Sequence, residues 1–261
     1  MTKKKKLRGK QVRTMKVIFL GTNGWYDTET GNTTCTLIET RDYFIILDAG
    51  NGLYKIDKYI RSKKPIYLFL SHFHLDHIVG LHILNKFSFD QGMRIYGQVC
   101  TKNSLDTIIN EPYTVPIAKL PFEVDVYEFS EGLHHIPFSV KCNFLLHSSK
   151  CLGYRFELDG KIITYIPDTG ICESAIELAE DADLLIAECS FKMGQRNAEW
   201  PHLNPEDAAK IAKEARAKKL ALIHFDANIY RSLEERIEVQ EKMKKVFENL
   251  IVTFDNMEME I

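Results

Sequence analysis

From Met15 onward the apolar positions fall into short continuous runs separated by turn residues. After Lys16, Val17-Ile18-Phe19-Leu20 is apolar on successive residues, the mark of a strand buried on both faces, and it leaves through the flexible Gly21-Thr22-Asn23-Gly24. The same pattern predicts strands over 34–39, 43–47, 66–70 and 94–97, with helical spacing over 53–61, 78–87 and 102–110. A proline-containing stretch, Glu111-Pro112-Tyr113-Thr114-Val115-Pro116, follows. Strands over 124–129, 138–146, 152–158 and 161–166 come next, the last two joined by Asp159-Gly160, a strong hairpin-turn signal.

The last third alternates helices (173–180, 205–218, 233–248) with strands (184–187, 221–223, 251–253). Asn204 is placed to cap the helix that begins at Pro205, with Asp207 in its first turn. The whole pattern is that of an α/β chain with many strands and no internal repeat.

Composition narrows the class. Hydrophobic residues make up 45% and charged residues 27% of 261 residues, enough for a sizeable core, and we expect a single domain over 15–261. The formal net charge of -2 argues against a surface that coats nucleic acid. The six cysteines form no C-x-x-C pair, so buried thiols are expected rather than disulfides. Residues 1–14 are basic but lead into a strand and not an apolar segment, which reads as a solvated tail. No run is apolar enough for a membrane span, and a cytoplasmic enzyme is the expectation.

The chemistry gathers at strand ends. The buried run ending at Leu70 delivers the chain into His72-Phe73-His74-Leu75-Asp76-His77. On an extended segment His72 and His74 point to one side, as two ligands of one metal must, while Asp76 and His77 can face a second metal about 3.5–4 Å away. Two sites need more donors than this segment holds. His147, Asp168 and His224 each follow an apolar strand and are the candidates.

These residues resemble the metallo-β-lactamase fold superfamily, and the resemblance runs over nearly the whole chain from Met15. It implies a four-layer αββα sandwich of two mixed sheets with outer helices, holding two divalent metal ions, Zn2+ first, with Mn2+ or Fe as alternatives. By the same resemblance His72, His74 and His147 bind one metal, Asp76, His77 and His224 the other, and Asp168 bridges them. Asp48 resembles the aspartate that accepts a hydrogen bond from a ligand histidine.

The C-terminal third is similar to the ribonuclease Z and phosphodiesterase branch, on His202-Leu203-Asn204-Pro205, the alanine-rich helix after it, and Leu222-Ile223-His224-Phe225. That implies a phosphodiesterase acting on a cyclic nucleotide, a cyclic phosphate or a short RNA. A metal-bridging hydroxide is then the nucleophile, oriented by Asp76, with His202 as proton donor and Glu188 orienting it. A ribonuclease Z-like RNA endonuclease and a thioester or lactone hydrolase are the alternatives on the same site.

Pro167 departs from the branch's glycine before the bridging aspartate. The 20 residues between His147 and Asp168 leave no room for the long arm with which ribonuclease Z grips tRNA. The branch also implies a homodimer. Asn23, Trp25 and Tyr113 sit in loops expected to border the substrate cleft, and His82, His134 and His135 read as ordinary surface or packing residues.

Overall fold

A computed structural model describes residues 14–261; the basic tail expected over 1–14 lies, up to residue 13, outside the described residues. Two seven-stranded sheets form the framework. The first runs, edge to edge, Met257–Glu260, Lys16–Gly21, Cys35–Glu39, Phe44–Leu47, Ile66–Phe69, Met93–Gln98 and Val124–Phe129. The second runs Leu250–Val252, Leu220–Ile223, Leu184–Glu188, Lys161–Ile166, Leu152–Leu158, Ser139–Phe144 and Gly132–His135.

Each sheet is half antiparallel and half parallel. In the first, the strands from Phe44–Leu47 to Val124–Phe129 pair in parallel; in the second, those from Lys161–Ile166 to Leu250–Val252 do. The carboxyl ends of parallel strands are where open α/β sheets place their ligands, and here two such sets of ends meet.

Alternation explains the layering. Val17 and Phe19 enter the core between the sheets with Tyr67, Phe69, Tyr154, Phe156 and Tyr165. Their neighbours Ile18 and Leu20 face outward into a second core with Leu37, Ile46 and Leu53. A third core packs Leu185, Leu220 and Leu222 against the helices Glu173–Ala179, Pro205–Glu214 and Leu233–Met243. Strands buried on both faces are why the sequence runs are continuously apolar. This is the αββα sandwich expected from the sequence.

Asp159 and Gly160 turn the hairpin with φ of 50° and 79°, the left-handed pair a two-residue turn requires. Asn204 accepts the Asp207 N–H at 2.8 Å and caps its helix.

Some elements differ from the pattern. The segment expected as a helix over 53–61 is a 3-10 helix, Asn51–Lys58, and that expected over 78–87 is one α-turn, Leu75–Ile78, continued as a 3-10 helix, Val79–Lys86. Both press onto glycine-rich backbone: a Cβ on Gly80 would lie 2.2 Å from the Gly50 carbonyl. The edge strand Gly132–His135 went unpredicted because its residues are half exposed and polar. There His134 stacks on Phe129, a packing role as expected.

Candidate metal centre

Five strands of the two sheets deliver the site. Ile66–Phe69 leads into His72, His74, Asp76 and His77 from the first sheet; Ser139–Phe144, Lys161–Ile166 and Leu220–Ile223 lead into His147, Asp168 and His224 from the second. Leu184–Glu188 ends on Glu188 itself.

Donor atoms of His72, His74, His147 and Asp168 all lie within 4.8 Å of one another, and those of Asp76, His77 and His224 form a second such group. Asp168 faces both groups. Its Oδ2 is 3.7 Å from His72 Nε2 and 3.7 Å from His147 Nε2, while its Oδ1 is 3.1 Å from His77 Nε2 and 3.2 Å from His224 Nε2. Pro167 leaves this carboxylate buried at the junction.

The outward ring nitrogens are fixed by neighbours. Asp48 is fully buried, with a left-handed φ of 54°. It accepts the Ser71 N–H at 2.7 Å, the Ser71 hydroxyl at 2.8 Å and the Tyr165 hydroxyl at 2.6 Å, and lies 2.8 Å from His77 Nδ1. Asp48 is thus placed to take the Nδ1 proton of His77 in a hydrogen bond and leave Nε2 facing the cluster, the arrangement metal-ligating histidines show. Ser71 Oγ is 2.9 Å from His72 Nδ1, and Ser190 Oγ is 2.9 Å from His224 Nδ1. Gly24 packs on the His224 ring so closely that a Cβ there would meet Cε1 at 2.5 Å.

Do these residues fit metal ions? His72 Nε2 and Asp168 Oδ1 are buried with no hydrogen-bond partner, a cost that protein interiors avoid unless something else satisfies the atom. Burial, reinforced by His77, holds His72 well below the ordinary histidine pKa, so its ring is neutral and able to accept a metal. Burial works against the charge of Asp168, yet His224 and His77 keep it well below the usual carboxylate range. Imidazoles around an ionised, shared carboxylate are a donor set for divalent cations, which would take the place of the positive charge that His224 and His77 otherwise supply to it.

Beside the second group stands a different pair. His202 Nδ1 is 2.6 Å from Glu188 Oε1. Glu188 is fully buried and also accepts the Thr169 and Ser190 N–H groups, both at 2.9 Å. Burial would lower the His202 pKa, but the Glu188 carboxylate overrides it and pushes it up to about 9. Donor atoms of His202, Asp168 and His224 lie within 4.8 Å of one another, so a cationic imidazole adjoins the cluster.

The cleft above is lined by Gly24, Trp25, Phe73, His74, Leu75, Asp76, Asp168, Ser190, Trp200, His202, His224 and Asp226. Trp25 borders it as expected, and its main-chain N–H donates to Asp76 Oδ2 at 2.7 Å. Two expectations are corrected. Asn23 is buried and builds the loop instead: its amide donates to the Gly31 carbonyl at 2.9 Å, and its Oδ1 accepts from Arg236 Nη2 at 2.5 Å. Tyr113 is 73% exposed but outside the lining, on the loop after the helix Thr101–Ile108. Ser190 and Trp200 were missed, although Trp200 stands two residues before His202.

A profile of the β-lactamase superfamily domain matches residues 43–225, a span that holds every donor from Asp48 to His224. The chain belongs to the β-lactamase superfamily. It is 29% identical over 221 residues to the probable metallo-hydrolase YhfI of Bacillus subtilis, covering 81% of this chain and 87% of that one. The crystal structure of YhfI matches with a TM-score of 0.79 at 24% identity, over 95% of this chain and 100% of that one.

Ribonuclease Z of Methanosarcina mazei is 27% identical over 311 residues, covering 95% of this chain and 98% of that one. That alignment is longer than the 261 residues of this chain, so the ribonuclease carries segments without a counterpart here. The short form of human tRNase Z matches with a TM-score of 0.73 at 23% identity, over 94% and 98% of the two chains. The shared architecture is the metallo-β-lactamase fold, and this member of it is a metal-dependent hydrolase. No helix among the described residues is long and apolar enough to cross a membrane.

Proposed function

We propose that this hydrolase is a binuclear phosphodiesterase, with His72, His74 and His147 holding one divalent cation, Asp76, His77 and His224 the other, and Asp168 shared between them. Zn2+ is the first candidate, and Mn2+ and Fe suit the same donors. When bound, such a pair of ions supplies a water of lowered pKa and a clamp for a non-bridging phosphoryl oxygen.

The observation that carries the reading is the His202–Glu188 pair. An ester of an alcohol or nucleoside leaves as a poor, basic oxyanion, and its departure needs a proton in the transition state. A histidine held charged up to about pH 9 by a buried carboxylate, beside the cluster, is a proton donor at neutral pH. Glu188 fixes the Nδ1–H of His202 and leaves Nε2–H to reach the leaving oxygen. Asp76 stays ionised: burial opposes the charge, but His77 and His224 outweigh it, and as an ionised carboxylate it can reach a cation and orient the attacking water together.

The relatives named ribonuclease Z and tRNase Z favour a phosphodiester over a thioester or lactone. Precursor tRNA is a poorer fit. The stretch from His147 to Asp168 is filled by the hairpin Leu152–Leu158 and Lys161–Ile166, and the chain is shorter than its alignment with the ribonuclease.

The test is hydrolysis by the purified, Zn2+- or Mn2+-loaded protein of bis(p-nitrophenyl) phosphate, a dinucleoside monophosphate, 2′,3′-cyclic nucleotides, precursor tRNA and S-lactoylglutathione. Turnover of the diesters in preference to the thioester is expected. Preferential turnover of the thioester would overturn the reading.

A further inference from the structure

The chain has two tryptophans, and both stand on the rim of the same cleft. Trp25 is 64% and Trp200 49% exposed. A soluble surface rarely leaves so much indole in water without a use for it, because indole is among the largest apolar payloads a chain carries.

Neither ring hangs on a slack loop. Trp25 follows Gly24, which packs on the His224 ring, and its own N–H is fixed to Asp76. Trp200 is held by an Asn197 turn that accepts the Glu199 and Trp200 N–H groups at 2.9 Å and 3.2 Å. Its ring lies parallel to His74 within 6°, centroids 5.9 Å apart, and 6.3 Å from the His202 ring. One indole thus spans a metal-binding histidine and the proton donor, on the side where the leaving group departs.

Charge decides between kinds of phosphodiester. A strand of RNA is held by several lysines and arginines along its backbone, and among the described residues none lines this cleft. Its carboxylates are Asp76, Asp168 and Asp226. A ligand with one charged phosphoryl group at the cluster and a flat, uncharged ring on either side matches this lining.

We infer that Trp25 and Trp200 form an aromatic subsite that stacks the nucleobases of a small, singly charged phosphodiester, with Trp200 taking the base of the leaving nucleoside. The inference rests on the phosphodiesterase reading and narrows it from phosphodiesters in general to dinucleotide-sized ones.

Because both tryptophans lie in the cleft, intrinsic fluorescence reports on the site without turnover. The metal-loaded protein is titrated with adenosine 5′-monophosphate and, separately, with ribose 5-phosphate, which presents the same phosphate and sugar without the base. Saturable quenching by the nucleotide is expected, with about tenfold tighter binding than ribose 5-phosphate measured by calorimetry. Trp200→Ala should reduce that ratio to about twofold, and Trp200→Phe should keep most of it.

Equal affinity for the two ligands in the unaltered protein, or a ratio unmoved in both Trp200→Ala and Trp25→Ala, would overturn the subsite. Kinetics separate the two readings. If dinucleoside monophosphates and base-free diesters are cleaved with the same KM, the subsite falls and the phosphodiesterase stands. If the nucleotide binds by stacking and no diester of any kind is cleaved, the phosphodiesterase reading falls.

Discussion

Nδ1 of His202 lies 2.6 Å from Oε1 of Glu188, a carboxylate with no exposure to solvent. The pair joins the end of the strand Leu184–Glu188 to the residues just ahead of the helix Pro205–Glu214. A charged imidazole is thereby held against the cluster of histidines and carboxylates. Its removal has a signature that depends on the leaving group. His202→Ala should lower kcat on a dinucleoside monophosphate by about 10²–10⁴-fold. On bis(p-nitrophenyl) phosphate the loss should be much smaller, because p-nitrophenolate leaves without help from an acid. Equal losses on the two substrates would argue against His202 as the donor.

The pH profile follows from the same pair. His202 acts in its protonated form, and its pKa is raised to about 9, so kcat/KM should hold through neutrality and fall as pH rises through about 9. In Glu188→Gln burial is left to act without the carboxylate, and the falling limb should move down by more than about 1 unit. An unmoved limb would show that Glu188 does not set it. The stability consequence has the same sign. A folded pKa above the ordinary 6.5 means stabilisation fully present below that value and lost as pH climbs through about 9.

Asp48 predicts a separation of metal affinity from chemistry. Four groups converge on it from Ser71, Tyr165 and His77. Asp48→Asn should weaken metal binding about 10–100-fold by releasing His77, read by competition with a chromogenic chelator. Asp48→Ala should in addition cost about 3–5 kcal/mol of stability, since it strands buried partners. A variant with undiminished metal affinity would remove Asp48 from the site's support.

Metal content should respond residue by residue. The unaltered protein should carry two equivalents by elemental analysis, His224→Ala about one, and Asp168→Ala less than one, because only Asp168 faces both groups. Stripping the metals should lower Tm by roughly 20 °C if each of the two ions is present at about a thousand times its Kd. A Tm indifferent to a chelator would speak against both sites.

Gly24 should tolerate no side chain. A Cβ there meets the His224 ring at 2.5 Å, so Gly24→Ala should displace His224 and lose metal from the second group while the first stays filled. Two retained equivalents would contradict this.

The parts of the site that follow from regular structure were legible in the sequence. Histidines or carboxylates placed directly after apolar runs, such as His72, Asp168 and His224, are where strands of a sandwich end, and their coincidence carried the reading. Asp159-Gly160 and Asn204-Pro205 were equally direct, because their backbone demands are local. What escaped depends on packing between distant segments. Asn23 sits in a loop of turn residues, and only the approach of Arg236 from the helix Leu233–Met243 turns it from a cleft residue into a buried brace. Trp200 carries no periodic signal at all, and its place on the rim emerges only once His74 and His202 are side by side. The two 3-10 helices keep the apolar spacing of α-helices, so hydropathy alone does not separate them.

Each group of donors draws on both sheets: His72 and His74 meet His147, and Asp76 and His77 meet His224, with Asp168 common to the two. Ions held by these donors would act as rivets through the seam of the sandwich. A chain whose sheets had docked one residue out of step would present its imidazoles to solvent or to apolar neighbours and could not load. With ions bound as proposed, metal occupancy would be a proofreading mark for the docking of the two halves, written only on molecules that had assembled correctly.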